Sequence, residues 1–198
     1  MRKKLLSAVL LFAVMLGGCS VYKSLVNLSN VKFRIKDVNE FEVLGIKISQ
    51  KSGLNDLNFS DIAKLTQAKF SDSLPVSLTI DIEARNDSKG SYATSDLQIV
   101  RFPFTLKIDD KKIFEGKVNR KIKIPGKNTI VTFPVNVSFD VLKVFNELSA
   151  DEIISLIFDL GGKNKNLDRI KIEAEPEIQL PEGFSFTKKV TITDQVFR

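Results

Sequence analysis

Few residues in this 198-residue chain could do chemistry, and the single cysteine, Cys19, stands first among them. There is no histidine, so imidazole acid/base catalysis, Ser-His-Asp triads and histidine-ligated metals are excluded. One cysteine allows no disulfide within the chain and no cysteine cluster for zinc or iron–sulfur. Carboxylates recur at alternate positions in Asp81 and Glu83 and again in Glu173, Glu175 and Glu177. General acid/base work would need them to converge in a pocket. At strand spacing they are expected to face water instead. Asp109-Asp110 has no EF-hand spacing around it and reads as a turn, not a calcium site. Lys117, Lys121 and Lys123 fall on the polar side of one candidate strand. They could meet anionic head groups, but a solvated strand face is the simpler reading.

What surrounds Cys19 gives it a specific role. Arg2-Lys3-Lys4 is a positive start, Leu5 to Leu16 is an apolar run of 12 residues, and Leu16-Gly17-Gly18-Cys19 follows. The run is shorter than the ~20 residues a membrane-spanning helix needs, but it has the length of a signal-peptide core. The string Leu16-Gly17-Gly18-Cys19 resembles the lipobox of bacterial lipoproteins. The resemblance implies that residues 1–18 are a signal peptide, cut between Gly18 and Cys19. It also implies a diacylglycerol on the Cys19 thiol and often a further acyl chain, such as palmitate, on the new amine. Two or more chains hold a protein on a bilayer stably, at about 0.8 kcal/mol per buried methylene. Residue 20 is Ser, not Asp. If the cell is Gram-negative, resemblance to its usual sorting rule implies the outer membrane, facing the periplasm. Residues 19–30 form the tether. From Ser20 to Asn30 there are 11 residues, spanning at most about 36–40 Å, so the domain is expected close to the cell-envelope membrane.

The remaining 31–198 read as a single domain. Cleavage leaves 180 residues with 27 basic and 24 acidic side chains, a net charge of +3. That is too mild for a nucleic-acid partner. Strict alternation dominates after residue 75. It appears in Val76-Ser-Leu78-Thr-Ile80-Asp-Ile82-Glu-Ala84, then in Phe102-Pro-Phe104-Thr-Leu106-Lys-Ile108. Val131, Phe133, Val135, Val137 and Phe139 continue it, as do Ile170, Ile172, Ala174, Ile178 and Leu180 around Pro176. Such patterns predict half-buried antiparallel strands. Pro103 predicts an edge or a strand start. Phe184, Phe186, Val190 and Ile192 predict a last strand. Val31, Phe33 and Ile35 predict a first strand and Phe41 to Ile48 a less regular second. Turns are expected at Asn86-Asp87-Ser88 with Gly90, at Asp109-Asp110, and at Pro125-Gly126-Lys127-Asn128. One helix is expected from Ser60 as N-cap, with Ile62 and Leu65 on one face. A second starts at the capping box Ser149 to Glu152, with Ile153, Ile154, Ile157 and Leu160 inward and Gly161-Gly162 as the stop. Val141 to Leu148 suggests a short helix before it. The fold class expected is mainly β, an antiparallel Ig-like or fibronectin-III-like β-sandwich with one or two short helices.

One family is suggested by Leu74-Pro75-Val76-Ser-Leu-Thr-Ile-Asp-Ile-Glu-Ala-Arg-Asn86, Leu106-Lys-Ile-Asp109, Phe114-Glu-Gly116, Ile124-Pro-Gly126 and Val131-Thr-Phe-Pro-Val135. Residues 75–160 resemble the LEA-14 or WHy domain of water stress and hypersensitive response, with Asn86-Asp87-Ser88 where the family shows Asn-Pro-Asn. The resemblance implies a sandwich without catalytic residues, metal or cofactor, serving a structural or interaction role linked to stress. The expected partners are the membrane, through acylated Cys19, and a protein or lipid of the envelope. An alternative expectation is a lipid-binding or lipid-transfer module holding an acyl chain in an apolar cavity among its 15 Phe.

Overall fold

The computed structural model describes residues 30–197, without the side chains of 68–71. Cys19, the Gly18–Cys19 cleavage point and the tether up to residue 29 lie outside the described residues. The fold is the mainly β, antiparallel sandwich expected. Its first sheet has the order β2-β1-β3-β7, from β1 (Val31–Val43), β2 (Ile46–Lys47), β3 (Pro75–Asn86) and β7 (Ile130–Asp140). The second is built on β4 (Leu97–Ile108). On one side β4 pairs β5 (Lys111–Val118) and β6 (Ile122–Ile124). On the other it pairs β8 (Ile170–Ala174) and β9 (Glu177–Gln179). Outside these run β10 (Ser185–Thr187) against β9 and β11 (Val190–Ile192) against β8.

Alternation does what its period requires. The inward positions Val76, Leu78, Ile80, Ile82 and Ala84 of β3 are buried against Leu97, Ile99, Phe102, Phe104, Leu106 and Ile108 of β4 and Phe133, Val135 and Val137 of β7 within one core. Phe102 is its centre, edge-on to Phe133 with ring centroids 5.2 Å apart and tilted against Phe33 at 5.9 Å.

Several expectations need correction. Pro103 lies inside the central strand, not at an edge or strand start. The register that pairs Phe104 with Ala174 and Arg101 with Glu177 sets it opposite Glu175. There its carbonyl accepts from the Glu175 N–H at 3.2 Å, the reciprocal bond is lost to the proline ring, and the partner strand breaks one residue on, at Pro176. The break continues at Lys188-Lys189, which divides the expected last strand into β10 and β11, and at Asn119-Arg120-Lys121 on the far side. Lys117 and Lys123 therefore belong to two strands, with Lys121 between them. The expected first strand and the opening of the expected second, residues 41–43, are one strand, β1, carrying two register shifts, and the rest of the second is a turn and β2. Its hairpin to β2 turns on Leu44 and Gly45, both at positive φ.

Three helices close the far end of the sandwich. The first, α1 (Phe59–Ser71), is capped by Asn58, not Ser60, in a capping box with Asp61. Its Ile62 is largely exposed and Leu65 only half-buried. The second, α2 (Val141–Val144), is one turn, shorter than Val141 to Leu148 suggested. Asp140 caps it and also accepts from the Leu74 N–H at 3.0 Å and the Ser73 hydroxyl at 2.6 Å. Burial would raise the Asp140 carboxyl, but these donors outweigh it and hold the group below its usual range. The third, α3 (Ala150–Gly161), has the expected box at Ser149 and Glu152. Ile153, Leu156, Ile157 and Leu160 are buried and Ile154 half-buried.

Gly161-Gly162 ends α3 for a reason other than a left-handed cap, since Gly162 is extended. A Cβ on Gly161 would overlap the buried ring of Phe41. Gly161→Ala ordinarily gains about 1 kcal/mol of helix propensity. Here overpacking, typically 1–3 kcal/mol, is expected to reverse the sign. Urea unfolding should show a lowered midpoint, partly restored by adding Phe41→Leu; a raised midpoint would contradict the packing.

Candidate functional site

The end of the sandwich opposite the helices gathers the start of β1, the ends of β3, β6 and β9, and the starts of β4, β7 and β10. Three loops meet there, residues 87–96, 125–129 and 180–184. Its organising side chain is Asn86, at the end of β3 and fully buried. The amide NH2 of Asn86 donates to the Tyr92 carbonyl at 2.8 Å and the Ser95 carbonyl at 3.0 Å. Its carbonyl oxygen accepts from the Ser88 N–H at 3.0 Å. A short side chain with two donors and an acceptor is what a buried turn of this shape needs.

From Asn86 the bonding spreads in both directions. Asn30, where the chain enters the domain, donates its N–H to the Ser88 hydroxyl at 2.8 Å and accepts from the Asp87 N–H at 2.7 Å. The Lys188 ammonium donates to the Asn30 side chain at 3.3 Å. Asp87 holds Arg85 bidentately and Lys32 at 2.9 Å. The Arg85 hydrogen bond, helped by Lys32, keeps the Asp87 carboxyl below its usual range despite its burial. On the other side, the Lys127 N–H donates to the Ala93 carbonyl at 2.7 Å. Asp96 accepts from the Gly126 N–H at 3.3 Å and pairs with Lys123 at 2.7 Å. A Cβ on Gly126 would strike the Thr94 backbone, which requires glycine in this loop. The Tyr92 hydroxyl donates to Glu182 at 3.4 Å. Burial first, and the Glu182 charge second, push the Tyr92 phenol up.

Beyond these bonds two apolar side chains are exposed at this end, Phe184 in the 180–184 loop and Ile130 as the first residue of β7, paired with Arg85 on the outer face of the first sheet. Phe184 is 62% exposed and Ile130 45%. The expectation for Phe184 was an inward strand position. Instead it follows a turn made by Gly183 at φ +89°, closed by the Gly183 N–H on the Leu180 carbonyl, before β10 begins. Pro181-Glu182-Gly183 has turn composition, and that signal could have moved Phe184 out of the strand.

No family model matches this chain, and no curated protein does. Among solved structures, a protein from Archaeoglobus fulgidus is similar at 11% identity and a TM-score of 0.32, over 62% of this chain and 88% of that one. The Northeast Structural Genomics Consortium target SoR45 is similar at 11% identity and a TM-score of 0.38, over 84% and 87%.

The other candidate residues are dispersed. Asp81 and Glu83 lie on the outer face of the first sheet, and Glu173, Glu175 and Glu177 on the outer face of the second. Glu83 does not face water as expected: it is buried under Arg34, whose Nε donates to it at 2.7 Å. Asp81 accepts from Asn39 at 2.8 Å and Glu173 from Lys107 at 2.6 Å. Asp109 and Asp110 form the β4–β5 turn, both at positive φ, and pair with Arg169 and Lys171. Among the described residues, no three carboxylates come together as a metal site would require. Three hollows of about 690, 560 and 320 Å³ open onto the surface, and none of them is an enclosed cavity.

Asn86→Ala would leave the Tyr92 and Ser95 carbonyls and the Ser88 N–H without these partners. The expected cost is about 2–3 kcal/mol, read as a lower urea midpoint with an unchanged m-value. A loss under about 0.5 kcal/mol, the range of ordinary surface changes, would contradict the role given to Asn86.

Proposed function

We propose that this protein is a lipid-anchored lipoprotein of the bacterial cell envelope, whose sandwich is a non-enzymatic structural or interaction module. The observation that carries the reading is the run from Arg2-Lys3-Lys4 through Leu5–Leu16 to Leu16-Gly17-Gly18-Cys19. The LEA-14-like residues of β3 to β7 support an interaction module, stress-related as in the family they resemble. So does the use of polar side chains in the domain: Asn86, Asp87, Glu83 and Asp140 are each engaged in holding loops or strands. Among the described residues no helix is long and apolar enough to cross a membrane, so attachment in this reading falls to acylated Cys19. A surface presented at a membrane by covalent chains needs a stable frame, and the packed sandwich offers one.

The test is acyl labelling in cells. The wild-type chain is expected to incorporate labelled fatty acid, and Cys19→Ala is expected to abolish the label and leave the unprocessed precursor. Label retained by Cys19→Ala would refute the lipobox reading.

A further inference from the structure

We infer that the domain stands end-on, with the Asn86 end against the bilayer, Phe184 of its loop in the interface and the exposed Ile130 at the start of β7 beside it at the same level. This rests on the anchor proposed above and adds which face the lipid meets. Asn30, the last tether residue, is fastened to that end by Ser88, Asp87 and Lys188. The 11 residues from Ser20 to Asn30 therefore lead from the acylated cysteine to these loops first. Phe184 is held outward by a tight turn, not by a loose loop. An exposed aromatic on a fixed turn suits the interfacial zone, about 5–10 Å into the headgroup and acyl boundary.

The charges agree in sign. Lys89 and Lys127 are exposed on the same loops, and neither forms a salt bridge among the described residues. Two of the three carboxylates there are neutralised, Asp87 by Arg85 and Lys32 and Asp96 by Lys123, while Glu182 accepts from the Tyr92 hydroxyl, which leaves its charge unneutralised. Lys89 and Lys127 thus outnumber the single unneutralised carboxylate, Glu182, and leave a small cationic surplus for anionic headgroups. Val196 is a further exposed apolar residue, next to the Phe197 that stacks on Arg85, and the other apolar surface is α1, where Phe59 is 88% exposed and Ile62 48%. This helix lies at the opposite end of β1, whose 13 residues span about 40 Å. End-on standing therefore holds α1 well away from the lipid.

The chain has no tryptophan, so single Trp reporters in the full-length lipidated protein read each end separately. Phe184→Trp, Ile130→Trp and Phe59→Trp all fall at exposed positions that accept the larger ring. Each would be reconstituted into vesicles of phosphatidylcholine brominated on its acyl chains, with some phosphatidylglycerol, and floated on a density gradient. The expected result is flotation of all three, with emission at positions 184 and 130 quenched about two-fold or more, as for a ring within the interfacial zone, and emission at 59 unchanged. Quenching at 59, or no quenching at 184 and 130 in floated vesicles, overturns the orientation and leaves the anchor standing. A chain that does not float overturns the anchor, and the orientation with it.

Discussion

One strand carries half of this molecule. β4 is paired on both sides along its length, so four other strands depend on its register and two more depend on those. Its inward residues, from Leu97 to Ile108, are among the most deeply buried in the chain. The same strand also carries the defect that shapes the sheet. Between Ile99 and Arg101 the register shifts, and at Pro103 a donor is missing. The neighbours interrupt at the same level, at Pro176, at Lys188-Lys189 and at Asn119-Arg120-Lys121. The proline thus sits where the ladder is already interrupted, and it costs one bond at a break rather than one in a continuous run.

The outer strands follow from the same constraint. A sandwich exposes edges that could pair with other chains, and each edge here is blunted. β2 has two residues, β7 carries Pro134, and β5–β6 and β10–β11 are broken. The C-terminal residues add to this: the Ile35 N–H donates to the Thr193 carbonyl at 2.7 Å, and the Phe197 ring lies 4.5 Å from the Arg85 guanidinium and 5.0 Å from that of Arg34. Exposed ion pairs such as Lys112–Glu115 contribute little. The apolar core and the buried polar pins hold the fold, and they leave the loop tips free for another use.

Most of the fold was legible because a half-buried strand writes its environment every second residue. That is why β3, β4, β7 and the β8–β9 pair could be read directly, and why the Ser149 box placed α3. Other features depend on distant partners and leave no local mark. Pro103 reads as an edge until Pro176 is known to lie beside it. β1 reads as two strands because its bulges break the period of two. Gly161 reads as a helix stop, although what requires glycine is the Phe41 ring 120 residues earlier. Glu83 reads as solvated because nothing near it in sequence announces Arg34. At the candidate site, Asn86 stood out as a turn residue, but its three bonds and the exposure of Phe184 and Ile130 appear only when the loops are brought together.

In the proposed reading, the lipobox-like string leads into the domain end where Asn30 is held by Ser88, Asp87 and Lys188, and Cys19 becomes the acylated first residue. The most direct measurement is the intact mass of the protein extracted from the membranes of its native cells. The account predicts residues 19–198 carrying a diacylglycerol, with or without one further acyl chain. The mass of the unmodified 198-residue chain, or of a cleaved chain without lipid, would contradict it.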